Sequence, residues 1–391
     1  MAVEPRPEFK WQEVLELETD TVVDGHDYET SGASILIRPE RDSVDAFSLP
    51  FELAKGLAKG IGHFRRSGGS QAVRSWPHRH IEHMKIGGEM RPALQTDAHP
   101  EFLDSGEVPR RTYIFVGLTE INEGSANLLH RAEVLAHPDT SVTTVMTPGI
   151  SSHGPTLPFW QGLTRSLELT AEEYHEAILD HAGDDNVRLI GTSLGSLIGA
   201  KLALRNMSVH PEHELNLRSL GFISPAVGAK GIHEDIDDWT GPDVDDKLFI
   251  QRLTARFFAH MPADITRMAA LYPETVAMCS SALMVYASQP TKYHTRLATL
   301  VGNVLGAQQG MEWDELKAVA TEYPTRIIAG QDDPLWKVQR AQFEQLLKST
   351  SSHLANIMIG TVIDRGHALS LDAKGTIAQL DGLSKLHPLL A

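Results

Sequence analysis

The chain has 391 residues, 41% of them hydrophobic and 22% charged, which is ample for a sizeable core and ordinary for a soluble globular protein. A formal charge of −16 argues against nucleic-acid binding, which uses a basic face, and against adsorption on an anionic membrane. Cys279 is the single cysteine, so no intrachain disulfide can form.

The opening MAVEPRPEFKWQEV has no basic stretch followed by an apolar one, so no signal peptide is expected. No run of about 18 apolar residues offers a membrane span. The expectation is a cytoplasmic chain with no nucleic-acid partner and no stable membrane insertion; oligomeric state is not readable. Within the first 110 residues, Glu13–Glu18 and Ser34–Arg38 read as strands, Phe51–Phe64 as an amphipathic helix and Ser67–Ser75 as a loop. This segment is expected to be an N-terminal elaboration that adds edge strands. It contains WPHRHIEHM, with His78, His80, Glu82 and His83 spaced His-x-His-x-Glu-His. That spacing is close to the His-x-His-x-Asp-His pattern of metallo-β-lactamase-like hydrolases, in which imidazoles converge on zinc. Here Glu stands in place of Asp, and the preceding AVRSWP is not an apolar strand. The favoured reading is therefore a polar surface turn, with no metal.

From residue 112 onward, short apolar runs alternate with helical patterns. Tyr113–Val116, Val142–Met146, Val187–Ile190, Leu220–Ile223, Arg326–Ala329 and Ala355–Val362 are continuous rather than alternating, as in parallel strands buried on both faces. Helical patterns occupy Ser125–Ala136, Thr170–Ala182, Leu194–Asn206, Leu335–Lys348 and Lys374–Leu386, and the Thr170 to Glu173 spacing reads as a capping box. Repeated βα units predict an α/β fold, a parallel sheet with helices on both faces. The rhythm breaks between 232 and 320, where helical patterns rich in Met and aromatic residues follow the acidic HEDIDDWTGPDVDD. That stretch reads as an inserted helical cap, its thioethers lining an apolar pocket or filling the seam with the sheet. The expected organisation is an elaboration over 1–110, a first core part over 111–231, the cap over 232–320 and a second core part over 321–391.

In RLIGTSLGSLIGAKLA, Ser193 stands between Gly191 and Gly195 where a predicted strand meets a predicted helix. Five letters recur by chance, so the context carries the argument. A nucleophile elbow strains the backbone at the serine, and Cβ atoms two places before and after it would collide. Gly191 and Gly195 remove those atoms. A serine hydroxyl also needs a base, and the base a group to orient it. GQDDP at 330–334 places Asp332 and Asp333 in a loop at the carboxyl end of a predicted strand, where parallel sheets hold their ligand sites. His367 follows Gly366 in a loop beyond the next strand.

Over about residues 110–391, GTSLG, GQDDP, the Gly366-His367 pair and the TPGISSHG loop together resemble the α/β-hydrolase superfamily of serine hydrolases, with cap-bearing members closest in layout. The resemblance implies an α/β-hydrolase fold with a mostly parallel sheet. It implies Ser193 as nucleophile, His367 as base, and Asp333 rather than Asp332 as the acid, because the family's carboxylate is commonly third after a strand-end Gly and often precedes Pro. It also implies an oxyanion hole from the backbone N–H groups of Leu194 and Leu118. Many relatives carry His-Gly where this chain has Val116-Gly117, a change that leaves backbone donors in place. A serine at the elbow argues against dehalogenase and epoxide hydrolase chemistry, which use Asp there. The implied activity is cleavage of a carboxylic ester or related acyl bond in a small molecule, through an acyl-enzyme and without a cofactor. Acyl transfer by the same triad is the alternative. A metallohydrolase built on His78, His80 and His83 and a non-catalytic scaffold are the remaining readings.

Overall fold

The apolar runs become the middle of a nine-stranded sheet. The computed structural model describes residues 32–37, 80–102, 108–116, 123–145, 167–226, 311–333, 335–336, 339–340, 343, 356–363, 365–367 and 369–390. Strands β1 (Gly32–Ile37), β2 (His80–Ile86), β3 (Glu89–Thr96), β4 (Arg110–Phe115), β5 (Thr140–Val145), β6 (Asn186–Thr192), β7 (Leu217–Ile223), β8 (Thr325–Gly330) and β9 (Ile357–Val362) lie in the order β1-β9-β8-β7-β6-β4-β5-β3-β2. From β1 to β5 along that order every pairing is parallel, whereas β3 runs antiparallel to both β5 and β2. Strands β4 and β7 start three residues before their apolar runs, because ladder hydrogen bonds continue past the buried part. The chain leaves β4 towards β5 and returns to the far side of β4 as β6. The order reverses between those two strands, and such a switch point opens a crevice at the carboxyl ends.

Among the described residues, the helices that flank the sheet include α1 (Glu123–Ala136), α2 (Leu167–Ala182), α3 (Leu194–Ser208), α4 (Trp313–Glu322) and α5 (Ala373–Leu390). Successive strand residues point to opposite faces. Tyr113, Phe115, Leu189, Phe222 and Ile327 accordingly join one core with α2, α3 and α4. Ile114, Ile190, Ile223 and Ile328 join a second core with α1 and α5. Each fully buried aliphatic or aromatic side chain contributes about 1.5–3 kcal/mol, so two-sided burial explains why neighbouring residues of these strands, such as Tyr113-Ile114-Phe115 and Leu189-Ile190, are both apolar.

Three expectations need correction or extension. Helix α2 begins at Leu167, so Thr170 is a buried interior residue and not a cap; Leu167, Ala171, Tyr174 and Ile178 extend the apolar stripe one turn earlier. A capping box exists instead at α4, where Glu312 and Glu315 satisfy each other's backbone N–H groups. The second correction concerns His80–His83, read as a turn but placed in β2. Strands β2 and β3 form a hairpin through Gly87 and Gly88, whose φ values of 58° and 80° suit a tight two-residue connection. Finally, Ser34–Ile37 falls in β1, which sits at the sheet edge beside β9, while the hairpin forms the opposite edge. Glu13–Glu18, Phe51–Phe64, Ser67–Ser75, His78 and most of the expected cap lie outside the described residues. The described end of that segment holds most of α4, which crosses the expected boundary at 320 and whose Leu316 and Val319 are buried in the first core. Among the described residues no helix is long and apolar enough to cross a membrane.

A half-buried ionic cluster, with Glu133 fully buried at its centre, underlies the α1/α5 face. Arg188 of β6 lies 3.3 Å from Glu133 and 3.1 Å from Asp381, and His137 lies 2.9 Å from Asp381. Burial works against a charged His137, but Glu133 and the hydrogen-bonded Asp381 outweigh it and raise its pKa. Burial, and next the Arg188 charge, push Arg326 of β8 down to about 10. Arg188 precedes Ser193 by five positions along the strand, about 16 Å of extended chain, so this cluster is remote from the carboxyl edge.

Candidate active site

Ser193 links the last residue of β6 to the first of α3, with φ 52° and ψ −120°. A non-glycine residue with positive φ is strained and persists only where its surroundings hold it. Those surroundings are specific. The Ser193 N–H donates to Ile223 O at 2.9 Å, and the Ala226 and Ser196 N–H groups donate to Ser193 O at 3.3 and 3.0 Å. The flanking glycines are sterically required: a Cβ on Gly191 would lie 2.5 Å from Gly195 O, and one on Gly195 would lie 2.2 Å from Phe115 O. This close approach seats the amino end of α3 against β4. Leu194 opens α3, so its N–H belongs to the first-turn donors that have no acceptor within the helix. Leu118, the other expected oxyanion donor, lies outside the described residues.

The acid and the histidine come from loops after β8 and β9. A Cβ on Gly330 would lie 2.3 Å from both Arg365 O and Gly366 O, so the two loops touch backbone to backbone. Asp332 N–H donates to Arg365 O at 2.8 Å and Gln331 N–H donates to Val362 O at 2.9 Å, which locks the loops together. His367 then lies between two partners, with Nδ1 2.9 Å from Asp333 Oδ2 and Nε2 2.9 Å from Ser193 Oγ. A carboxylate only accepts, so the proton between His367 and Asp333 belongs on Nδ1, and Nε2 accepts from the serine hydroxyl. The second carboxylate oxygen of Asp333 accepts from the Leu335 N–H at 2.9 Å. Asp333 is fully buried, whereas Asp332 is exposed and is not the residue bonded to His367. Ser193 and His367 are also buried, at 7% and 8% exposure.

The decisive combination is a serine on a strained strand-to-helix turn at the switch point of this sheet, with the acid and histidine following it in chain order. The chain has the α/β-hydrolase fold. No protein-family model matches it, and no curated protein does. Solved structures to which the chain is similar include a proline iminopeptidase of Mycobacterium smegmatis, at 15% identity and TM-score 0.49, over 79% of this chain and 99% of that one. A thermophilic esterase from Thermogutta terrifontis, with malate bound, is 13% identical over 79% and 99%, with TM-score 0.48. A haloalkane dehalogenase from Agrobacterium tumefaciens is 14% identical over 81% and 98%, with TM-score 0.49. Such likenesses say nothing of the substrate of this chain.

The His80, Glu82 and His83 positions belong to a different place. They stand on β2, four strand spacings from β6 in the sheet, or about 19 Å. They are not brought to Ser193. Two residues that sequence reasoning passed over do border the site. Ser224 follows β7 with φ 45°, and Gln339 is fully buried beyond the acid loop. Neither belongs to a motif; the only sequence signal was a Ser-Pro pair directly after a strand.

Proposed function

We propose that the chain is a serine hydrolase that cleaves a carboxylic ester or related acyl bond of a small molecule. The observation that carries the reading is the continuous set of hydrogen bonds from Ser193 Oγ through His367 to Asp333 on a strained elbow. Ser193 Oγ attacks the acyl carbon while His367 Nε2 takes its proton. Asp333 holds the imidazole with Nδ1 protonated and stabilises the imidazolium. The Leu194 N–H, and that of Leu118, stabilise the oxyanion, each such donor contributing about 3 kcal/mol in comparable sites. His367 next protonates the leaving group, the acyl group stays on Ser193, and water activated by the same imidazole releases it. No step calls on a cofactor.

A fluorophosphonate probe tests this directly. It phosphonylates a serine made nucleophilic by a neighbouring base, and an ordinary turn serine does not react. One adduct on the GTSLG peptide, lost in Ser193→Ala together with turnover of p-nitrophenyl acetate, is the expected result. Esterase activity that survives Ser193→Ala would refute the reading.

A further inference from the structure

Ser224 is the second non-glycine residue with positive φ among the described residues, and its buried Oγ has no hydrogen-bond partner among them. A residue both strained and unsatisfied marks a place where the surroundings dictate the backbone, and a functional constraint is the first thing to look for there. What dictates it here is a set of bonds running to the active site on both sides. The Ser224 N–H donates to Ile328 O at 2.7 Å. On one flank, Ile223 O accepts from Ser193 N–H; on the other, Ala226 N–H donates to Ser193 O. Between them, Pro225 O accepts from Gln339 Nε2 at 3.0 Å. Proline has no N–H, so that carbonyl is its sole backbone hydrogen-bonding group.

Gln339 spends its amide on two carbonyls from two different parts of the site. Its Nε2 also donates to Leu335 O at 3.1 Å, and the Leu335 N–H in turn donates to Asp333 Oδ1. The bonds therefore run from Ser193 to the segment after β7, then through Gln339 to Leu335 and Asp333. His367 must bridge Ser193 Oγ and Asp333 Oδ2 at 2.9 Å on each side. One rigid imidazole satisfies both only if the serine and the carboxylate keep their separation. Among the described residues, Gln339 is a side chain that joins the element holding one to the loop holding the other.

We propose that Gln339 is a positioning residue which sets the Ser193 to Asp333 separation for His367, an inference that rests on the triad reading above. It acts through Pro225 and Leu335 and touches no substrate. Gln339→Leu keeps the volume and removes both donors. Gln339→Glu keeps a polar group but turns an acceptor towards two carbonyls. A misplacement of about 1 Å at a catalytic group costs about 100-fold, so a partial shift here should cost about 10- to 100-fold.

The test measures the fluorophosphonate labelling rate of full-length chains, kcat and KM on p-nitrophenyl acetate, and the thermal midpoint. Asn206→Ser serves as the control for general loosening. Asn206 is as buried as Gln339, and its amide bonds Leu215 O at 3.1 Å and Tyr323 Oη at 3.0 Å, away from the triad. The expected result is labelling and kcat lowered about 10- to 100-fold in both Gln339 variants with KM within about twofold, and Asn206→Ser labelling at the wild-type rate despite a lowered midpoint. Wild-type labelling rates in Gln339→Leu and Gln339→Glu would overturn the inference and leave the triad reading standing. An equal slowing in Asn206→Ser would overturn it too, since any buried loss would then suffice. A wild-type chain that does not label at Ser193 would overturn both.

Discussion

Replacing Asp333 by Asn tests the site at its least accessible point. The carboxylate is fully buried and uses both oxygens, Oδ1 from Leu335 N–H and Oδ2 from His367 Nδ1, each at 2.9 Å. An amide has one oxygen for these two donors. If that oxygen takes the Leu335 N–H, the amide NH₂ faces Nδ1, the imidazole proton moves to Nε2, and Nε2 can no longer accept from Ser193. If the oxygen faces His367, the NH₂ opposes the Leu335 N–H at a fully buried position. An unmet buried donor costs about 1–3 kcal/mol, which disfavours the working arrangement by about 5- to 150-fold. Loss of the carboxylate charge beside the imidazolium adds to this, and the matching replacement in a serine protease costs about 10⁴ in kcat. Asp333→Asn should therefore lower kcat on p-nitrophenyl acetate by about 10⁴, about 5.4 kcal/mol of barrier, with an unchanged far-UV spectrum. Asp332→Asn, at an exposed position, should cost less than about threefold. Two outcomes would refute the reasoning: Asp333→Asn keeping more than about a tenth of wild-type kcat, or Asp332→Asn being the more damaging change.

Gly195→Ala should lower kcat by about 100-fold and stability by about 1–3 kcal/mol, because its Cβ would stand 2.2 Å from Phe115 O, a backbone atom of β4 that has no rotamer to change. A fully active, equally stable Gly195→Ala chain would show that the elbow does not need this approach. Stability should also carry a pH signature from His137. Burial opposes its protonation, yet Glu133 and Asp381 raise its pKa above the usual 6.5 in the folded chain. That contribution is complete below the unfolded value and fades as pH rises through the raised folded one. Urea titrations of His137→Gln should thus show a shallower loss of unfolding free energy than wild type from pH 6.5 upward. Parallel curves for the two chains would rule the cluster out as the cause.

Much of the fold could be read in one dimension because its causes are local. Strands buried on both faces favour consecutive apolar residues over alternating ones, and β4 and β6 to β9 hold such runs; the elbow must have small residues around Ser193, and Gly191 and Gly195 are there. The loop chemistry of GQDDP and Gly366-His367 pointed to strand ends by the same local logic. Arg188 and Arg326 nonetheless stand in these strands, and only the packed structure shows how they are accommodated. Glu133 and Asp381 arrive from helices 55 positions before and 193 positions after Arg188 to face it, and Arg326 spends an Nη on the Thr325 and Asn356 carbonyls.

Other features were decided wholly in three dimensions. The polar residues of HIEHMKI disguised an edge strand, since β2 gains its ladder from β3 rather than from an apolar pattern. Thr170 carried a capping signature that was overruled when Leu167 found a place in the core one turn earlier. Strand β1 pairs with β9 across more than three hundred positions, a partnership that no window of sequence records. The bonds that bring Ser193, His367 and Asp333 together belong to the same class, as does the clamp of Gln339 on Pro225. Propensity, periodicity and turn chemistry act over a few residues and are written into the chain. Which carbonyl meets which donor across the sheet is set by closure of long loops, whose entropy grows slowly with length and so leaves packing, not spacing, to choose the partner.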